Sequence, residues 1–243
     1  MVNKPGKIWK AISPRSLEDR DDDFIDVHHI DQRVIDRVCE GLRAEQIGIL
    51  PTETVYGLVG TSHSDAVVER IYEAKGRDRK KPLPVQVGRF VDVAGLGVQV
   101  NKPAEILAQN FWPGPMTLVL PFLGEMRCNA GIASALLKQW TEQKTVAVRI
   151  PDHPVAKLVL MQFGAPMLAT SANASGEEPV TKLSQLDLGL RKKVDWIVDG
   201  GPTVFGREST VVLCEGQEWR ILREGALRGT IIQKAFAQPA RRG

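Results

Sequence analysis

With 243 residues, 43% hydrophobic and 25% charged, the chain has the composition of an ordinary globular protein with enough apolar content for a sizeable core. Its 32 basic and 29 acidic residues leave a formal charge of +3, too balanced to announce a nucleic-acid binder by itself. No apolar run reaches the roughly 18 residues of a membrane span, no apolar leader opens the chain, and Asp19, Asp21, Asp22 and Asp23 argue against an acid-poor transit peptide, so the expected location is the cytoplasm, with no membrane partner.

Residues 1 to about 25, with Pro5, Gly6, Pro14 and a three-aspartate run, lack periodic apolar content and are expected to form a flexible or surface-draped extension. Asp31 is placed to cap a helix whose apolar face is Val34, Ile35, Val38 and Leu42. Ile47, Ile49 and Leu50 then predict a buried strand, and Thr52 and Thr54 follow where that strand leaves the core, so their hydroxyls face a cleft. Asp65 to Ala74 repeats apolar residues near helical spacing and delivers Lys75 and Arg77 at its end, toward the same cleft. Hydroxyls and cations around one pocket suit a ligand with a small polar part and anionic oxygens.

The basic loop Lys75-Gly76-Arg77-Asp78-Arg79-Lys80-Lys81-Pro82 reads equally as a solvated charge run, but its place between a helix and the strand predicted at Leu83 to Val87 ties it down. Pro103 opens a helix to Phe111, and Trp112-Pro113-Gly114-Pro115 turns the chain into the strand Met116 to Leu120. A helix over Gly131 to Glu142 precedes the strand Thr145 to Pro151, which places Arg149 near its end, where a buried charge needs a partner. His153 reads as a helix-start residue before Pro154, because no second His or Cys stands at ligand spacing. The strand Met167 to Ala169 runs into Thr170-Ser171-Ala172-Asn173-Ala174-Ser175-Gly176, a turn that either satisfies its own backbone or lets a ligand approach closely. A helix over Lys182 to Lys193, a strand Trp196 to Val198, the hairpin Ser209 to Leu213 with Trp219 to Arg223, and a last helix Thr230 to Phe236 complete an α/β chain of mixed sheet.

Cys39, Cys128 and Cys214 are scattered and odd in number, which disfavours a disulfide framework and a thiolate zinc site. No phosphate-binding P-loop, dinucleotide Gly-x-Gly-x-x-Gly, His-Glu-x-x-His or Gly-x-Ser-x-Gly motif occurs, so the common nucleotide and hydrolase folds are disfavoured.

Seven segments in order resemble the YrdC-like family of threonylcarbamoyl-AMP synthases: Pro51 to Leu58, Lys75-Gly76-Arg77, Trp112 to Thr117, Val148 to Pro154, Thr170 to Gly176, Ser209-Thr210-Val211 and Arg223-Glu224-Gly225. The resemblance implies a single α/β domain over residues 26–230, with a twisted mixed parallel and antiparallel sheet flanked by helices and a concave, positively charged face, and a helix end and tail at 231–243. It implies a nucleotidyltransferase, an L-threonylcarbamoyladenylate synthase. The reaction joins L-threonine, bicarbonate or carbon dioxide, and ATP into threonylcarbamoyl-AMP and pyrophosphate. A tRNA threonylcarbamoyltransferase complex would then modify adenosine beside the anticodon. By the same resemblance Lys75, Arg77, Ser171 and Asn173 form the signature expected at the reacting groups. Arg77, Lys81, Thr145, Ser171, Pro179 and Arg223 stand on the ATP side, and Thr54, Gln86, Arg149, Ala169 and Ser209 on the threonine side, with Arg149 on the substrate carboxylate. Gln86 stands where many members have histidine, and Lys81 where many have asparagine. No resident metal is implied, though Mg2+ is expected to travel with the nucleotide or pyrophosphate.

The chain resembles the short form of the family, without the linker and second domain of long forms. Two other readings use the same residues. The basic loop suits a non-catalytic module binding tRNA or double-stranded RNA, although such a module has no need of the Thr54 and Ser209 segments. A carbamoyl-phosphate-dependent domain, as in hydrogenase maturation, would bring cysteine- and histidine-rich companions that this sequence lacks.

Overall fold

Ten strands form one mixed sheet in a computed structural model that describes residues 7–11, 30–124 and 131–237. They are β1 (Lys7–Lys10), β2 (Gly48–Leu50), β3 (Gly57–Thr61), β4 (Val85–Gln86), β5 (Met116–Pro121), β6 (Thr145–Arg149), β7 (Met167–Ser171), β8 (Trp196–Asp199), β9 (Thr210–Glu215) and β10 (Glu218–Arg223). Across the sheet the order is β1-β8-β2-β3-β7-β4-β6-β5-β9-β10. β8 runs parallel to β1 and β2, β4 to β6 and β5 to β9, while the other neighbours are antiparallel. The helices are α1 (Gln32–Arg43), α2 (Asp65–Lys75), α3 (Phe90–Gly95), α4 (Lys102–Phe111), α5 (Ser134–Gln143), α6 (Pro154–Phe163), α7 (Leu188–Lys193) and α8 (Gly229–Ala237).

Local chemistry explains where the helices start. Asp31, Ser64 and Asn101 each accept a hydrogen bond from a backbone N–H of the first turn, and His153 does so through Nδ1 from Val155 N at 3.2 Å. Gly76 at φ 59° ends α2 in the left-handed conformation that glycine adopts without penalty, and this turn redirects the chain at Arg77.

The structure departs from the sequence expectation in four places. Lys7–Lys10, inside the stretch expected to be a flexible or surface-draped extension without regular structure, is a largely exposed edge strand, with Trp9 stacked on Trp196 at a ring-centroid distance of 6.0 Å. A charged four-residue edge strand has no apolar alternation to announce it. β3 was absent from the expectation, which carried the chain from β2 into α2: its five residues are all buried, so no polar alternation marks it, and two are glycine. α3 is too short to show a helical period. The helix expected over Lys182–Lys193 divides into a 3₁₀ turn, Leu183–Gln185, and α7, because Asp187 caps a new helix by accepting from Leu190 N at 2.9 Å.

Two apolar clusters sandwich the sheet. The larger includes Val68, Ile71, Leu107, Leu136, Trp140, Val146, Val148 and Val212; the smaller, under α1 and α6, includes Val38, Leu42, Leu50, Val59, Val159 and Trp196. The last helix, expected over Thr230 to Phe236, is α8; it packs on α4, and Phe236 stacks on Trp219 with ring centroids 4.8 Å apart. Among the described residues no helix is long and apolar enough to cross a membrane.

One consequence of this layering positions the site. On β6, Val146 and Val148 enter the larger core, so Thr145, Ala147 and Arg149 share the opposite face. Leu118 and Leu120 of β5 likewise enter the core and leave Thr117 and Val119 on that other face, and Val212 of β9 leaves Val211 there. The smaller cluster draws only on the other half of the sheet, so the face over β4, β6, β5 and β9 is left to form a pocket wall.

Candidate functional site

That face floors a cavity of about 610 Å³, the size of a small-molecule site. Its walls come from the segment after β2, the loop after α2, the end of β7 and the start of β9 with the end of β10. Of the residues singled out by sequence, Thr54, Arg77, Lys81, Gln86 and Thr145 line it, as do Arg149, Ala169, Ser171, Ser209 and Arg223. Lys75, Asn173 and Pro179 do not line it.

One wall of the cavity is built around Arg149. Arg149 ends β6 and is buried, with its Nη2 donating to Glu53 Oε1 at 2.7 Å and its Nε to the Gly114 carbonyl at 3.1 Å. Gln86, its register partner on β4, is also buried, and its Oε1 has no hydrogen-bond partner among the described residues. Thr52 Oγ1 donates to Val55 O at 2.6 Å, so in its 2.9 Å contact with Thr54 Oγ1 the proton comes from Thr54, which keeps the Thr54 lone pairs free for a ligand donor. Ser209 Oγ shares a hydrogen bond of 2.8 Å with Thr117 Oγ1.

The basic loop is a clamped structure. Arg77 donates from Nε to Lys81 O at 3.2 Å and from Nη2 to Pro82 O at 3.0 Å, Tyr72 Oη donates to Lys81 O at 2.9 Å, and Gln143 Nε2 to Lys80 O at 3.1 Å. These bonds hold the Arg77 guanidinium and the backbone that carries Lys81 at the pocket edge. Burial lowers the Arg77 guanidinium from its usual value, with Arg223 adding to the effect and Glu208 opposing it. Arg223 bonds Glu208 Oε2 at 2.6 Å and the Ser209 carbonyl at 2.9 Å. Glu208 is the acidic side chain on this wall.

Lys75 acts one layer back. Its ammonium donates to the carbonyls of Ser171 and Asn173, the latter at 2.7 Å, and lies 3.3 Å from Asn173 Oδ1. Burial, and then the neighbouring Arg77, pull it down to about 8. It pins the turn after β7, and Asn173 Nδ2 closes that turn by donating to Glu177 O at 2.6 Å.

Sequence reasoning missed Glu53, Thr117, Gln143 and Glu208. Glu53, Thr117 and Glu208 stand inside or beside the quoted segments, so position alone could have nominated them; Gln143, at the end of α5, carried no signal.

The molecule is thus of the class in which a half-covered mixed sheet holds a pocket on its open face, with a buried arginine on one wall and further cations on another. The chain belongs to the Sua5/YciO/YrdC family: the family model, described as "Telomere recombination", matches residues 40–225. It is 38% identical over 186 residues to threonylcarbamoyl-AMP synthase of Bacillus subtilis, covering 76% of this chain and 51% of that protein. It is 35% identical over 205 residues to threonylcarbamoyl-AMP synthase of Pyrococcus abyssi, covering 83% and 57%. The crystal structure of P. abyssi Sua5 complexed with L-threonine superposes with a TM-score of 0.76 at 34% identity, over 85% of this chain and 58% of that one. The chain thus spans about half the length of these relatives.

Proposed function

We propose that the chain forms L-threonylcarbamoyladenylate from L-threonine, bicarbonate or carbon dioxide, and ATP. The observation that carries this reading is the juxtaposition, in one cavity, of the buried Arg149 with the cations Arg77, Lys81 and Arg223. The kinship with threonylcarbamoyl-AMP synthases and with a threonine-bound Sua5 supports it.

In this reading Arg149 takes the threonine carboxylate, and Thr54, Gln86 and Ser209 supply polar contacts to the rest of the amino acid. The ammonium of threonine loses one proton to become an amine, whose lone pair bonds to the carbon of carbon dioxide as one C–O π bond opens onto oxygen, and loss of a second N–H proton to solvent leaves the carbamate. A carbamate oxygen then attacks the α-phosphorus of ATP, the bond to the β-phosphate oxygen breaks, and pyrophosphate leaves with the electron pair. Both partners are anions, so the obstacle is repulsion, and fixed cations lower it by positioning and charge stabilisation. Arg77, Lys81 and Arg223 do this for the phosphates, while Lys75 and Asn173 hold the Ser171 turn in place. Thr145, beside Ala147 on β6, belongs to the nucleotide wall, whereas Pro179, which does not line the cavity, is given no contact with the nucleotide.

Among the described residues no three His, Cys, Asp or Glu side chains cluster as a metal site. A magnesium ion arriving with ATP would supply charge neutralisation for the leaving pyrophosphate. The adenylate is a reactive acyl donor, and a tRNA threonylcarbamoyltransferase is the class of enzyme that would consume it.

The test is pyrophosphate release by the purified protein with ATP and bicarbonate, with L-threonine, L-serine or no amino acid. Threonine-dependent release is expected. No release from folded protein, together with salt-sensitive binding of double-stranded RNA, would replace the enzyme with the RNA-binding reading.

A further inference from the structure

The Arg149–Glu53 pair holds an unusual position: both side chains are more than nine-tenths buried, yet Arg149 lines the cavity and Glu53 does not. Burying two charges costs desolvation that a single contact seldom recovers, so such a pair marks a task other than stability. The geometry shows what the task is. Glu53 Oε1 takes one hydrogen of Nη2 and the Gly114 carbonyl takes that of Nε, so the guanidinium plane is fixed from two sides, and both hydrogens of Nη1 and the second of Nη2 are left over for a pocket anion. Glu53 is itself immobilised, because its carbonyl accepts from Phe205 N at 2.9 Å and the flanking Thr52 hydroxyl ties the turn to Val55 O. Its second oxygen, Oε2, is buried without a hydrogen-bond partner among the described residues. A lone anionic oxygen of that kind is a cost that packing alone does not explain.

We propose that Glu53 is a positioning residue for amino-acid recognition: it aims the Arg149 fork, and through it sets how strongly the pocket prefers an amino acid to the same molecule without its carboxylate. This rests on the reading above that Arg149 takes the carboxylate. Glu53 touches no substrate in this account. Its charge also tempers Arg149, so two consequences of removing it oppose each other. Losing the aim weakens carboxylate binding, whereas losing the counter-charge strengthens it. Positioning by a short, two-sided clamp requires the first to win.

The test compares direct binding of L-threonine and L-threoninol, with a non-hydrolysable ATP analogue as a third ligand, by calorimetry on wild type and Glu53→Gln. Glutamine keeps the shape and an acceptor for Nη2 but replaces a charge-assisted bond by a weaker neutral one. The expected result is about a tenfold fall in the threonine-to-threoninol affinity ratio, with threoninol and the ATP analogue unchanged within about twofold. A purely structural role would weaken all three ligands together and leave the ratio intact, which overturns the proposal. A ratio that rises also overturns it and makes Glu53 an attenuator of Arg149. Should wild type itself show no preference for threonine over threoninol, the carboxylate assignment of Arg149 fails, and this inference fails with it by a distinguishable route. Glu53→Leu, if it folds, should lower the ratio further than Glu53→Gln, and an equal or smaller fall contradicts the clamp.

Discussion

At the residue scale, two buried side chains, Arg149 and His153, give separate predictions. Arg149→Lys keeps a cation but loses the planar fork, so the KM for threonine should rise about tenfold or more while that for ATP changes less than about twofold. Equal rises in both would assign Arg149 to the fold. Arg149→Ala should also lower stability by about 3–5 kcal/mol in urea unfolding, because it strands the Glu53 carboxylate in the interior. His153 is 3% exposed, and burial pulls its imidazole down to about 4. The folded state therefore keeps it neutral where the unfolded chain, below about pH 6.5, binds a proton. Its contribution is fully present above that pH and is lost as the pH falls toward about 4. His153→Asn keeps a helix-capping acceptor and removes the titration. It should flatten the loss of stability between about pH 7.5 and about pH 5 by about 2 kcal/mol, and an unchanged slope would place the acid sensitivity elsewhere.

At the scale of elements, tight contacts decide more than propensities. A Cβ at Gly48 would come within 2.1 Å of the Trp196 ring, in the seam where β2 meets β8 under the Trp9 stack. Gly48→Ala should destabilise the protein by about 3 kcal/mol, read from urea midpoints. Lys75 joins the end of α2 to the turn after β7. Lys75→Met keeps the buried stem and loses the ties, so amide exchange should speed up over residues 172–178 and adenylate formation should fall at least about tenfold. Faster exchange with full activity would make the tie structural only. These elements also show what the sequence could and could not reveal. Capped helices such as α1 and α4 announced themselves because an Asp cap or a first-turn Pro precedes an apolar stripe. β3 stayed hidden because a strand buried on both faces does not alternate, and Gly60 is there for closeness: a Cβ on it would lie 2.5 Å from Val67 Cγ1. The signature segments carried the walls of the pocket, yet not the depth of each residue. Lys75 and Arg77 differ by one turn of backbone, and only the left-handed Gly76 sends one behind the wall and the other onto it. Glu53 was invisible for a related reason, since nothing in its spacing shows that it meets a residue 96 positions away.

For the whole molecule, function follows from how the sheet is covered. α1 and α6 cover one half of a face, and the open half becomes the cavity floor, with cations arriving from loops at its rim. A polyanion such as ATP should feel that rim more than zwitterionic threonine does. Raising salt from about 0.05 M to about 0.5 M should therefore raise the KM for ATP several-fold with a smaller change for threonine. Equal sensitivity would argue that the rim cations are screened or already satisfied.

If one cavity joins three substrates, the carbon of bicarbonate must end in the adenylate, and its fate is the most direct test. The purified chain is incubated with ATP, L-threonine and carbon-13 bicarbonate, and the quenched mixture is read by mass spectrometry. The account predicts a threonylcarbamoyl adenylate carrying the label, formed with equimolar pyrophosphate and absent when threonine or bicarbonate is left out. Pyrophosphate released without a labelled adenylate, or an adenylate that carries no label, would contradict it.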